Sequence, residues 1–510
     1  MRQNENRAFI FYKHFHSFLC YYSLDGLDGL LNAWICFCSM TENISRKKTI
    51  LIPVTSGFFS RNFFRTDAYQ LLKKRADLLL VFLVPESRRE YYSKEFSAFG
   101  SRFVPFDDAS KSFQERFFKF IEVSSIHTRT ASLQQMHAFF REGSRDFFVR
   151  RFFFFILARV CWFFGQFHFW RAFIRAVYRI TPSRIYAAVF DEYKPDLVFC
   201  PTLLYAENRI AKEAKTRGIP VIGLTHSWDN FYSKAILRVH PDRLLVHTHG
   251  IKKQAERFGD YPADKISVIG IPQYDRYFRK EGILSRKEFF QHIGGDPTKK
   301  LILYAFSGKA GLSIDLEMLK VLYEVVSEHK EWNAHVLIRP YPRFDFSLEK
   351  LDEIRRRYDF FAESSLYHIA TGRDVWEFND ESLAFLSSSL NYADVVINMY
   401  STFLVEAAIF DKPLIAVAFD GERQKNYWNS VRRFFEWEHL ADIKRCGGID
   451  FAKSKKELAL HIQKSLNEPA RLYNERRAIV REEAEFFDGN SGERLAKALL
   501  QFVGLEHRIE

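Results

Sequence analysis

Cysteine is scarce in this chain, six in 510 residues, and no two of them form a CxxC pair. That excludes a disulfide framework and a zinc module, and points to free thiols in a reducing cytosol. Long apolar runs are missing too. Residues 1–40 are aromatic, but Lys13, His14, Asp25 and Asp28 interrupt them. The stretch also lacks the basic start, apolar middle and small-residue cleavage site of a signal peptide. The run Phe152 to Leu157 is cut by Arg159, well short of the roughly 20 apolar residues of a membrane span. Tyr304 to Gly311 is not a Walker A loop, because the earlier glycine is absent and Ala310 stands where Ser or Thr must bind magnesium. His240, His247 and His249 have no carboxylate at ligand spacing, and alternate strand residues face opposite ways, so no metal site is expected. No organic cofactor is expected either. No aromatic-basic module for nucleic acid is present, and nucleic acid is not an expected partner.

What is present is phenylalanine, 54 residues of it, and a net charge of +12. The charge suits anionic partners such as nucleotide phosphates or acidic lipid headgroups, without choosing between them. Short apolar runs alternate with helical patterns, which predicts α/β layers with parallel sheets. Strands are expected at Ile50–Val54, Leu78–Val84, Asp196–Pro201, Pro220–Thr225, Arg243–His247 and Ile266–Ile271. After a break near residue 280 the pattern restarts, with strands at Lys300–Phe306, Ala334–Ile338, Asp394–Asn398 and Pro413–Phe419.

This predicts two Rossmann-like, doubly wound domains facing a cleft, residues 47–280 and 281–485. Residues 486–510 are expected to form a C-terminal helix packing back toward the first domain. Residues 1–46 are expected to be a poorly ordered extension, with Met40 a second possible start. The segment 113–180 is an aromatic, arginine-flanked helical insert. It reads either as helices on the first sheet with exposed arginine tips, or as an element lying in a membrane interface.

A ligand in such a fold binds beyond the carboxyl ends of the strands. There the second half offers Tyr400, Ser401 and Thr402, a polar turn between strand and helix whose free N–H groups and hydroxyls suit phosphate. Glu406, one turn further, is placed to meet a ribose hydroxyl pair. Alternatively, Thr402 is only an N-cap and Glu406 a surface residue. Arg339 ends a strand and precedes Pro340-Tyr341-Pro342, a rigid turn that would aim a guanidinium at phosphate. Ser307 and Gly308 sit in a further turn after a strand. In the first half, His226-Ser227-Trp228-Asp229-Asn230 follows a strand and suits acceptor binding or general-base work. Gly57 places flexible backbone beside the same cleft.

Together these motifs resemble the GT-B-type glycosyltransferases. The resemblance is nearest to the branch that groups CDP-glycerol glycerophosphotransferases with UDP-N-acetylglucosamine 2-epimerase-like proteins. It rests on Asp394 to Ala408, on Asp411-Lys412-Pro413 leading into a strand, on Gly270 to Asp275, and on the closing run Phe487-Asp488-Gly489-Asn490-Ser491-Gly492-Glu493-Arg494. Tyr341 stands where the glycerophosphotransferases carry the His of Arg-x-His-Pro, and Met399 where an Asp often stands.

The resemblance implies a metal-independent glycosyltransferase moving a sugar from a nucleotide-sugar donor to a surface-polysaccharide or lipid-linked acceptor. It implies action in the cytoplasm, with peripheral contact at the inner face of the membrane. Donor phosphates would meet Ser307, Gly308, Arg339, Tyr341, Tyr400, Ser401 and Thr402. His226 or Asp229 would be the base, with Gly57, Trp228 and Asn230 near the acceptor. Polyol-phosphate transfer, 2-epimerisation, or nucleotide-sugar binding without catalysis are the other functions the same fold would allow.

Overall fold

The computed structural model describes residues 46–505, apart from 56, 107–111, 142–146, 183, 205, 308–311, 342–347, 363–366, 369–375 and 400. The N-terminal extension, Gly308 and Tyr400 therefore lie outside the described residues.

The first half contains β1 (Lys48–Pro53), β2 (Leu78–Val84) and β3 (Ser101–Pro105), then helices α1 (Phe113–Ser124), α2 (Arg129–Phe140), α3 (Phe148–Phe164) and α4 (His168–Ile180). It continues with β4 (Leu197–Cys200), α5 (Glu207–Thr216), β5 (Val221–Leu224), β6 (Arg243–Val246) and β7 (Ile266–Val268). The second half opens with β8 (Lys300–Ala305), α6 (Leu312–Glu328), β9 (Ala334–Arg339) and β10 (Phe361–Ala362). A small antiparallel pair follows, β11 (Tyr367–His368) with β12 (Trp376–Glu377). Then come β13 (Val395–Asn398), α7 (Phe403–Ile409), β14 (Leu414–Val417), α8 (Glu438–Cys446), β15 (Asp450–Ala452), α9 (Tyr473–Glu483) and α10 (Ser491–Phe502).

The strands form two parallel sheets, in the orders β3-β2-β1-β4-β5-β6-β7 and β10-β9-β8-β13-β14-β15. Both follow the doubly wound pattern, in which the winding reverses beside the first strand and leaves a crevice at the carboxyl ends. The reversals fall between β1 and β4 and between β8 and β13. Each inner strand is a nearly unbroken apolar run, as a sheet covered on both faces demands. In β1, Ile50 and Ile52 enter one core while Leu51 enters the opposite one; in β8, Leu301 and Leu303 separate from Ile302 and Tyr304 in the same way.

Five strands were not anticipated: the short β11–β12 pair, and, in the two parallel sheets, β3, β10 and β15, each at a sheet edge. An edge strand buries less side chain, and β3 carries an exposed arginine (Arg102) within a five-residue stretch, so no apolar run marks it.

The last helix leaves the second sheet and packs Leu495, Ala496, Leu499 and Leu500 into the first core. Asp275 holds its start, accepting the Ser491 N–H at 3.0 Å and the Gly492 N–H at 2.7 Å. Gly270 (φ +83°) lets that helix approach, since a Cβ there would lie 2.3 Å from the Ser491 hydroxyl. The closing run and the Gly270–Asp275 segment are thus two sides of one contact.

The insert departs in part from the expectation of exposed arginine tips: Arg150 and Arg179 are exposed, but others are not. Arg171 and Arg175 turn inward onto Asp260, with contacts of 2.8 Å each, and Arg159 donates to Ser132 at 2.8 Å. The phenylalanines point out instead: Phe148, Phe152, Phe153 and Phe163 are exposed.

Candidate active site

Where the carboxyl ends of the two sheets meet, a cavity of about 290 Å3 is lined from both sides. The first sheet contributes His226, Trp228, Asp229 and Lys234; the second contributes Tyr341, Ser401, Thr402 and Glu406. A smaller space of about 30 Å3 behind it is lined by Thr55, Thr202, His226 and His247.

On the first-sheet side, the buried strand β5 delivers its loop directly to the cavity. Asp229 Oδ1 accepts from Ser227 Oγ at 2.5 Å and from Lys234 Nζ at 2.7 Å, and Ser233 Oγ donates to Oδ2 at 3.3 Å. Burial alone would raise this carboxyl, but the Lys234 ammonium, His439 and the Ser227 hydroxyl outweigh it and hold Asp229 well below the usual carboxylate range. A carboxylate so stabilised is a weak base, and its geometry suits holding Lys234 at the cavity. His226, half-buried, lines both spaces. Trp228 meets the His439 ring edge-on at 5.3 Å, and burial pushes that imidazole down to about 4. Asn230 is fully buried and Gly57 is buried, and neither lines the cavity. Phe58 and Arg61, just beyond Gly57, do.

On the second-sheet side, Asn398 ends β13 and anchors it by donating Nδ2–H to the Ala305 carbonyl at 2.6 Å. Ser401 Oγ accepts the Phe403 N–H at 3.2 Å. Thr402 holds the N-cap position without a side-chain cap bond. Its hydroxyl has no hydrogen-bond partner among the described residues and borders the cavity. Glu406 is buried, not a surface residue, and its Oε2 is engaged from across the cleft. Arg61 Nη2 lies 2.8 Å away and the Tyr277 hydroxyl donates at 2.9 Å.

Two expected phosphate contacts sit elsewhere. Arg339, buried at the end of β9, does not line the cavity, whereas Tyr341 two residues on does. Ser307 is turned toward α6: its N–H and hydroxyl reach Asp315 Oδ2 at 3.1 and 3.2 Å, and burial pushes Asp315 up to about 7.

Residues that sequence reasoning did not single out complete the cavity: Arg61, Lys234, His439 and Glu483. Burial, then Asp442 and Glu482, push Glu483 well above the usual carboxylate range. None of these four carries a local pattern, because helices and loops far apart in sequence bring them together.

Residues 238–501 match the family described as CDP-glycerol:poly(glycerophosphate) glycerophosphotransferase, just over half of the chain. The chain belongs to that glycerophosphotransferase family. The match spans the whole second sheet, the closing helix and the last two strands of the first sheet.

Among solved structures, this glycerophosphotransferase-family chain is similar to S. aureus MnaA in complex with UDP, at TM-score 0.50 and 11% identity, covering 90% of this chain and 97% of that one. It is likewise similar to a UDP-N-acetylglucosamine 2-epimerase, at TM-score 0.50 and 12% identity, covering 92% and 99%. A glycosyltransferase from Rickettsia africae aligns at TM-score 0.47 and 12% identity, over 91% and 100%. No protein of curated function matches the chain in sequence. The fold is GT-B-like, and family and fold make the chain a transferase-type enzyme.

Proposed function

We propose that this family member transfers a sugar from a nucleotide-activated donor to a hydroxyl of a surface-polysaccharide or lipid-linked acceptor. What carries the reading is the cavity itself, which joins the two hydroxyls of Ser401 and Thr402 to His226 from the opposite sheet. In the proposed reaction His226 takes the acceptor hydroxyl proton, the acceptor oxygen bonds to the anomeric carbon, and the bond from that carbon to the diphosphate breaks. The nucleoside diphosphate leaves with added charge, met by Ser401, Thr402 and the Lys234 ammonium.

Metal-independent transfer fits the geometry, because two carboxyl groups at the cavity already have cationic protein partners: Asp229 has Lys234 and Glu406 has Arg61. Nucleotide donors are too highly charged to cross a bilayer unaided, which supports action in the cytoplasm. Tyr341, in place of the family's histidine, favours sugar over glycerol phosphate as the group moved.

Family membership favours a second reading, transfer of glycerol phosphate from CDP-glycerol. Nucleotide analysis separates the two. Sugar transfer releases a nucleoside diphosphate, whereas glycerophosphate transfer releases CMP. Incubation with UDP-, GDP-, CDP- and dTDP-linked sugars and with CDP-glycerol should yield a diphosphate from one of the sugar donors. CMP release from CDP-glycerol alone would overturn the sugar reading. A sugar altered without any acceptor would point to epimerisation.

A further inference from the structure

Between residues 147 and 190 the sequence holds seven arginines and no aspartate or glutamate. Folding sorts this composition by face. On α3, Phe148, Phe152, Ile156 and Phe163 recur at helical spacing, with Phe153 and Val160 beside them, and all are exposed. Phe153 stands 62% and Phe163 53% exposed. A contiguous apolar face of this size is far more than a soluble surface ordinarily shows.

Among the described residues no single helix is long and apolar enough to cross a membrane. The 17 residues of α3 extend about 25 Å, short of a hydrocarbon core of about 30 Å. α4 then turns away at 114°.

On α4 two stripes lie side by side. Phe169, Phe173 and Ile180 form the exposed apolar stripe. His168, Ala172, Arg175 and Arg179 form its neighbour, which lines a cavity of about 660 Å3 together with Lys212 and Lys265. Asp242 and Asp260 also line it and pair with Lys215 and Arg175, and Arg238 pairs with Glu115, but the charges of Lys212, Arg179 and Lys265 are left over. Lys212 Nζ is held by neutral oxygens, the carbonyls of Tyr178 and Thr181 and the Thr181 hydroxyl. Arg179 and Lys265 have no carboxylate partner among the described residues.

We infer that this cavity is a binding site for the phosphate of an anionic lipid, reached when the aromatic faces of α3 and α4 dock on a bilayer. The aromatic stripe enters the acyl boundary, and the adjoining cations fall at headgroup depth, where anionic phosphate is concentrated. Charge complementarity selects the occupant: a second protein surface would have to match a phenylalanine face bordered by cations, and a bilayer presents both partners at once. The inference stands apart from the identity of the transferred group, and its test has no activity readout.

The test is flotation of the full chain with phosphatidylcholine vesicles, with and without added phosphatidylglycerol. Two double variants accompany it, Phe153→Glu with Phe163→Glu and Arg179→Glu with Lys265→Glu. All four positions are exposed, and far-ultraviolet circular dichroism checks that each variant is folded. The wild type is expected to float with the anionic vesicles, less at high salt, and each double variant to weaken binding about tenfold or more.

Failure of the wild type to float at low salt overturns the inference. So does equal binding to neutral and anionic vesicles. If Arg179→Glu with Lys265→Glu removes stabilisation by inorganic phosphate but leaves flotation intact, the cavity serves a soluble anion instead. If Phe153→Glu with Phe163→Glu only converts a dimer to a monomer by light scattering, the face is an interface between copies of the chain.

Discussion

Arg61 and Glu406 meet across the cleft at 2.8 Å, both nearly shielded from solvent, and the Tyr277 hydroxyl touches each of them, at 3.0 and 2.9 Å. Arg61 follows the first strand of the first sheet, and Glu406 sits on the helix that carries Ser401 and Thr402 at its start. The pair therefore ties the two sheets together beside the cavity. Removing one partner strands a buried charge. Arg61→Met is expected to cost about 3–5 kcal/mol in urea unfolding, and the double variant Arg61→Met with Glu406→Leu distinctly less than the sum of the singles. Additive single effects would show that the ion pair does not couple the halves.

Ser401 and Thr402 should separate stability from function. Ser401 Oγ accepts the first N–H of α7, that of Phe403, so Ser401→Ala is expected to lower stability by about 0.5–1 kcal/mol. The Thr402 hydroxyl bonds to nothing described, so Thr402→Ala should leave the melting temperature unchanged. Yet each variant should lower kcat/KM by roughly 10-fold or more if both hydroxyls meet a charged diphosphate. Unchanged kinetics for Thr402→Ala would remove it from the donor site.

His226 and Asp229 should behave differently. His226→Ala is expected to reduce kcat by about 100-fold or more and to abolish the acid limb of the pH–rate profile. Asp229→Asn should cost less and keep that limb, because Asp229 remains ionised through the working range and acts through Lys234. An acid limb lost in Asp229→Asn but retained in His226→Ala would reverse these roles.

Stability should also depend on pH through a buried carboxyl that bridges the halves. Glu377 accepts from the Tyr92 hydroxyl at 3.0 Å and is pushed up to about 7, mainly by burial. Its folded value lies above the unfolded one, so the folded state binds the extra proton between about pH 4.5 and 7. The stabilisation is complete below that window and is lost as pH rises through 7. Glu377→Gln should flatten the stability curve across the window by roughly 2–3 kcal/mol. An unchanged slope in urea titrations at pH 5 and 7.5 would show that Glu377 is ionised throughout.

The fold was legible to the extent that burial marks a chain locally. Interior strands such as β2 and β8 are covered on both faces, so each must be an apolar run, and each stood out. Edge strands are under no such constraint: β3, β10 and β15 left no signal, and of the four edges only β7 was marked, by the apolar residues of Ile266–Ile271. The same logic holds at the cavity. His226, Trp228, Ser401 and Thr402 directly follow interior strands, and alternation of strand and helix places such residues at a cleft whatever the details.

Side-chain direction was not legible. Arg339 also ends an interior strand, yet it is buried rather than presented to the cavity. Ser307 turns to Asp315, a partner eight residues on whose burial depends on how α6 packs. The insert shows the limit most plainly. Sequence alone determined that residues 147–190 combine phenylalanine with arginine and contain no acid. It did not decide which face looks outward. Asp260, supplied by a distant loop, decided that by drawing Arg171 and Arg175 inward, because a buried carboxylate needs a cation more than a phenylalanine face needs cover.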